Sequence, residues 1–144
     1  MNFKRITVEE LLRRFAAGER DFTEINIRDS REGLMRGIDL SGINLEGSSL
    51  SVDFSGAILR ETNFRYTVWD IVTWEDIDFS GSDFTGINNV VGCAFIRCNF
   101  NDTIWSKANL WQACFVDSTL TTANFDDAKF SEVNFFTESQ FFGY

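Results

Sequence analysis

Histidine and proline are both missing from this 144-residue chain, and each absence narrows what it can be. Without histidine there is no imidazole metal ligand and no Ser–His or Cys–His nucleophile pair. Average proline usage is ~5%, so a chain with none keeps every backbone N–H available to a continuous hydrogen-bonded ladder. No apolar run is long enough to span a bilayer. The start, Met1-Asn2-Phe3-Lys4-Arg5, leads into a charged stretch and not into the apolar core of a signal peptide. The expectation is one domain, cytoplasmic, with no membrane partner.

Basic residues are also scarce. Lys and Arg number 13 against 22 Asp and Glu, a net charge of −9. Residues 1–37 carry eight basic and seven acidic groups, and 38–144 carry five and fifteen, so the second part alone holds a charge of −10. Direct nucleic-acid binding needs a cationic footprint and is not expected. Either a solvated acidic face or a surface that imitates DNA fits this balance.

What the chain does have is a period of five. A large apolar residue recurs at Met35, Leu40, Leu45 and Leu50, then every fifth position from Phe54 to Phe84, then every fifth from Val90 to Phe135. That makes 21 pentads with two phase slips, one residue short after Leu50 and one long after Phe84. Neither helix nor strand has this period, and a fixed internal repeat marks a solenoid. Two residues before most large positions sits a small or β-branched one (Ser48, Val52, Ala57, Thr62, Thr67, Val72, Ile77, Ser82, then Cys93 through Val133), with Asn88 the polar exception at the long slip. Between the two lies Asp or Asn in many pentads. Seven of the ten glycines, Gly37 to Gly92, fall two residues after the large one, where a type II corner needs positive φ. No such glycine follows Gly92, so the later corners are expected to use a different turn.

These patterns resemble the pentapeptide repeat family, A-[DN]-L-x-x in its simplest form. Residues 35–135 carry the match, most literally at Ala108-Asn109-Leu110 and Ala123-Asn124-Phe125. The resemblance implies an all-β solenoid, a right-handed quadrilateral parallel β-helix, in which each pentad forms one face and both the large and the small residue point inward. About five coils at ~4.8 Å spacing give a rod of roughly 24 Å. Counting in fours predicts four interior columns: Met35-Phe54-Trp74-Phe95-Phe115-Phe135, Leu40-Leu59-Phe79-Phe100-Leu120, Leu45-Phe64-Phe84-Trp105-Phe125 and Leu50-Trp69-Val90-Leu110-Phe130.

An open solenoid end exposes core and strand edge, so both ends need cover. Residues 1–34 read as an N-terminal cap and link: Thr7-Val8-Glu9-Glu10 resembles a capping box before Val8, Leu11, Leu12 and Phe15, with Gly18 closing a helix of about residues 8–17. The segment looks like the caps of cyanobacterial members of the family. Phe22 and Ile27 begin the pentad spacing before an irregular Arg28–Leu34 link. The C-terminal tail, 136–144, shows no comparable helix, and its aromatics, Phe141 and Phe142 among them, are read either as a local lid or as a contact with a second copy, a homodimer through the C-terminal end.

Candidate chemistry is thin. Cys93 and Cys98 hold the small inward position and read as buried fillers, not a thiolate metal or redox pair. Asp76-Ile77-Asp78 imitates the start of a calcium loop, but Ile87 stands where the twelfth-position Glu is required. No catalytic, cofactor-binding or metal residue is predicted, and the chain is read as a non-enzyme. The outward positions that break the polar rule say more. Ile96, Val116 and Phe136 follow the inward aromatic in successive coils, with Val91, Trp111 and Ile71 on the neighbouring face. With Phe141 and Phe142 these are the candidate protein-interaction residues, either an exposed patch for a partner or a stripe covered by the tail. The reading is an interaction module or scaffold for another, unidentified protein. The alternative, implied by the resemblance, is a DNA mimic that binds DNA gyrase and protects it from quinolones.

Overall fold

The computed structural model describes residues 3–70, 72–88, 90 and 92–143. The chain winds into a parallel β-solenoid of about six turns. Short strands stack on two faces. β1 (Lys4–Arg5), β2 (Ile25–Arg28), β3 (Ser49–Ser51) and β4 (Val68–Trp69) form one parallel sheet; β5 (Thr73–Glu75), β6 (Ala94–Ile96), β7 (Cys114–Val116) and β8 (Asn134–Phe136) form the other. The remaining two faces are joined by single parallel bridges, such as Asp39 to Ile58 to Asp78 to Asn99 to Thr119.

This register reproduces the predicted columns. Trp74, Phe95, Phe115 and Phe135 stack through β5–β8. The bridges Asp21–Asn44–Asn63–Asp83–Ile104–Asn124 place Phe22 one layer before Leu45. The expected five coils therefore become about six, because β2 already pairs with β3 and the segment read as cap and link contains a coil of its own. Its spacing was masked by the irregular link that follows.

The interior is an aromatic stack with a small-residue lining. Phe64, Phe84 and Trp105 lie nearly parallel up one column, at 5.0 and then 4.3 Å. Phe79 stacks on Phe100 at 5.0 Å in the next. Adjacent columns meet edge to face, as Phe54 does with Trp74, the arrangement ring quadrupoles favour. Buried polar groups on the small position are satisfied by the backbone. The Ser82 hydroxyl donates to the Leu59 carbonyl at 2.7 Å and accepts the Thr62 N–H at 2.9 Å, so it bridges the corner of the coil below. Ser48 does the same for Phe22 and Ile25, and Ser118 for Phe95 and Cys98. Burying these hydroxyls unpaired would be costly.

The Asp/Asn position has a structural duty too. Its side-chain oxygen accepts the N–H two residues on, as in Ser41 to Asp39 at 2.9 Å, Arg65 to Asn63 at 3.0 Å and Asp126 to Asn124 at 2.9 Å. These Asx turns lock the corners.

The later corners keep a left-handed residue at the same place although glycine is gone from it. Asp102, Lys107, Gln112, Asp117, Asp127 and Glu132 adopt φ between 46° and 61°, two residues after their inward aromatic or leucine, where glycine stands in earlier coils. Corner hydrogen bonds such as Ala108 N–H to Trp105 O (3.0 Å) and Ala113 N–H to Leu110 O (3.0 Å) persist. A left-handed conformation costs a non-glycine residue ~1–2 kcal/mol, and ladder pairing on both sides imposes it.

α1 (Val8–Ala16) caps the N-terminal end. Thr7 Oγ1 accepts the Glu10 N–H at 3.0 Å, Glu9 and Glu10 sit in the first turn and Arg13 and Arg14 in the last, all favourable to the helix dipole. Val8 and Leu11 are buried, and Leu12 and Phe15 pack on the core.

Candidate interaction surface

The tail does contain a helix, which the sequence reading missed. α2 (Glu138–Phe142) is one turn long, with Thr137 and Gln140 forming a reciprocal capping box and Gly143 closing it at φ 77°. The T-x-x-Q pattern of Thr137 to Gln140 and the glycine three residues after it were the available signal.

α2 lies along the side of the rod, against the outward row of β5–β8. Phe141 meets Phe136 at 6.0 Å between centroids, and Phe142 lines one cleft together with Ile96. A charged clamp holds the turn: Arg97 Nη1 pairs with Glu138 Oε1 at 2.9 Å, while the Glu138 N–H donates to Asp117 Oδ2 at 2.8 Å. Arg97 also pairs with Asp76 at 2.8 Å and Glu75 at 3.2 Å. The Arg97 hydrogen bond holds the Asp76 carboxyl below its ordinary value. The residue that imitated a calcium ligand is therefore an ion-pair partner.

This geometry corrects the expected patch. Ile96 and Val116 are buried, at 2% and 0% exposure, and Phe136 is half-buried. The three are brought together, in register, as the stripe expected from their spacing, but α2 folds over it. Trp111 stands apart from the stripe and is open to solvent at 44%. Phe141 and Phe142 keep 37% and 51% of their surface exposed on the outer side of the turn. Ile71 and Val91 lie outside the described residues.

The most open apolar surface is elsewhere, at the C-terminal end. Inward large residues are essentially unexposed from Met35 through Phe115 among those described. In the last coil the same positions open: Phe130 to 39% and Phe135 to 57%, with Leu120 and Phe125 half-buried. α2 sits beside this end and does not close it. The signal was present in the column count, since each column simply stops there.

The thiols behave as packing. Burial pushes Cys93 up to about 11 and Cys98 up to about 12, which disfavours the thiolate that redox or metal chemistry needs. Cys114 is half-buried and its thiol is raised by burial as well. Among the described residues no group of His, Cys, Asp and Glu is arranged to hold a metal, and no helix is long and apolar enough to cross a membrane.

A family model for pentapeptide repeats matches residues 35–67 and 106–136 in eight copies, and strand pairing carries the same columns through the coils between them. The chain is a pentapeptide repeat protein. No curated sequence matches it significantly. Among solved structures this pentapeptide repeat protein is similar to QnrB1, a plasmid-mediated fluoroquinolone resistance protein, with TM-score 0.62 and 19% identity over 80% of this chain and 57% of QnrB1. It thus spans little more than half of QnrB1. It is also similar to a pentapeptide repeat protein from Nostoc Pcc 7120 (TM-score 0.33, 20% identity, 89% of this chain and 78% of that one) and to Rfr23 from the cyanobacterium Cyanothece 51142 (TM-score 0.29, 21% identity, 88% and 94%). At 19% identity the likeness to QnrB1 is one of fold.

Proposed function

We propose that this pentapeptide repeat protein is a non-enzymatic interaction module, a rigid acidic rod that associates through its open C-terminal end with another protein surface, in the first place a second copy of itself. One observation carries this: the interior of the last coil is open at Phe130 and Phe135, with Phe125 half-buried, while the described inward residues from Met35 through Phe115 are sealed. An unpaired coil end presents both apolar side chains and free strand edge, and either is favourable to cover. α1 closes the other end. With one end capped and one open, stacking ends at a two-fold pair and cannot propagate into a fibre.

Light scattering after size exclusion tests this. The wild type is expected near 33 kDa, twice the 16.5 kDa chain, and a Phe130→Asp/Phe135→Asp variant near the monomer mass with an unchanged circular dichroism spectrum. A monomeric wild type at micromolar concentration would remove self-association and leave a different protein as the occupant.

The DNA-mimic reading, with gyrase as partner, draws support from the charge of −10 over 38–144 and from the fold likeness to QnrB1. It is the weaker reading. Asp39, Asp53, Asp78 and Asp83 lock corners, Arg60 pairs with Asp78, and Arg97 sits among Glu75, Asp76 and Glu138. No uninterrupted double row of carboxylates results. Supercoiling by gyrase in the presence of the protein distinguishes the two readings.

A further inference from the structure

A second recessed surface lies at the opposite half of the rod. One corner column stacks Glu24, Gly47, Tyr66 and Gly86 in successive coils, each N–H bonded to the coil above: Glu24 to Glu46 O, Gly47 to Arg65 O and Tyr66 to Thr85 O, all at 2.9 Å. The two glycines act differently. A Cβ on Gly86 would come within 2.3 Å of the Tyr66 ring, so that ring rests on bare backbone and is held on the Gly86 side. Gly47, two coils before Gly86 and one before Tyr66, has only the Glu24 side chain beside it, at 3.4 Å. The result is a notch of about 570 Å³ with Gly47 in its lining.

Its walls have a consistent chemistry. Phe3 and Tyr66 supply aromatic surface, Val68 an aliphatic flank, and Glu24 and Glu46 two carboxylates; among the described residues no lysine or arginine lines it. Tyr66 and Val68 are exposed at 48% and 37%, outward positions where the repeat normally places polar residues. Glu46 is oriented by the Asn63 amide, which donates to its Oε2 at 3.0 Å. The Tyr66 ring already carries one guanidinium, that of Arg65, 5.7 Å from its centroid.

We propose that this notch receives the side chain of an arginine or lysine presented by a basic segment of a partner protein. The fit is chemical. The aliphatic stem packs on Phe3 and Val68, the cationic head meets the Tyr66 face and the two carboxylates complete its pairing. An anionic ligand would face uncompensated like charge, and a purely apolar one would desolvate two carboxylates without partners. The acidic rod draws basic partners toward it. This surface is independent of the C-terminal end and does not depend on what occupies that end.

The test is a titration of the ¹⁵N-labelled protein with acetyl-Gly-Arg-Gly-amide, followed by amide shifts. Its neutral isostere, the citrulline peptide, and a norleucine peptide serve as comparisons. Saturable shifts confined to residues around Gly47, Tyr66 and Val68 are expected with the arginine peptide only, weakening as salt is raised. Gly47→Asn, which keeps a residue tolerant of the left-handed corner, fills the notch and abolishes the shifts. Glu24→Gln/Glu46→Gln and Tyr66→Asn each weaken binding about five- to tenfold, with a dispersed amide spectrum confirming the fold of every variant. Equal binding of the citrulline or norleucine peptide overturns the cation requirement. Unsaturable shifts spread over the acidic faces, or binding that survives Gly47→Asn, overturn the site.

Discussion

Trp105→Ala is the sharpest probe of the aromatic stack. Trp105 is wholly buried and touches four rings: it stacks on Phe84 at 4.3 Å and Phe125 at 5.6 Å, and meets Phe100 and Phe115 edge to face at 5.3 and 6.1 Å. Its indole N–H donates to Thr103 Oγ1 at 2.8 Å. Truncation removes the largest side chain of its layer from an interior whose walls are tied by ladder hydrogen bonds, so collapse into the cavity is limited. Large-to-small changes at such sites cost ~3–5 kcal/mol, and the whole stability of a domain this size is only ~5–15 kcal/mol. At roughly 2–4 °C per kcal/mol, Tm should fall by about 6–20 °C. Urea unfolding followed by far-ultraviolet circular dichroism, which does not depend on the deleted indole, should show a lower midpoint at unchanged slope. Trp105→Phe keeps a ring between Phe84 and Phe125 and should recover most of the loss. A Trp105→Ala variant that melts like the wild type would refute the inward stack. A changed slope would instead show that the coils unfold separately, as solenoids can.

Trp111→Asp, at a residue open to solvent, should shift stability by no more than about 0.5–1 kcal/mol, read by the same urea curve. A loss comparable to that of Trp105→Ala would mean Trp111 is covered. Phe141→Ser/Phe142→Ser should loosen α2 and uncover Ile96 and Val116, raising the fluorescence of an added anilinonaphthalene dye while the circular dichroism is retained. An unchanged dye signal would show that the turn does not seal the stripe. Thiol titration of the native protein should find Cys114 reacting first, with Cys93 and Cys98, raised to about 11 and about 12 by burial, reacting only on unfolding. Equal rates at all three would contradict their packing.

The acidity of this protein has a local explanation that composition alone could not supply. Asp39, Asp53, Asp78 and Asp83, each just before a large inward residue, accept the N–H two positions on, so part of the negative charge follows from building corners. Arg97 and Arg60 then neutralise part of it. The apolar stripe was equally misleading. Ile96, Val116 and Phe136 do align, but exposure depends on what lies above them, and a one-turn helix at the end of the chain lies there.

The period of five, being local and repeated, settled which side chains point inward and which stack on which: Phe64 under Phe84 under Trp105 needed only counting. Thr7 and Gly18 likewise marked the ends of α1 without any tertiary knowledge. What required the folded chain was everything set between distant segments. Pairing of β2 with β3 added a coil that the irregular link hid. Ladder bonds on both sides forced Lys107 and Gln112 into the left-handed region that their own preferences disfavour. The bare backbone of Gly86 seats the Tyr66 ring and leaves the notch above Gly47. Pattern determines which face of a repeat is apolar, because that depends on neighbours in the chain; burial depends on what else in three dimensions reaches that face, and α2 covers the stripe while Phe130 and Phe135 at the end of the last coil stay open.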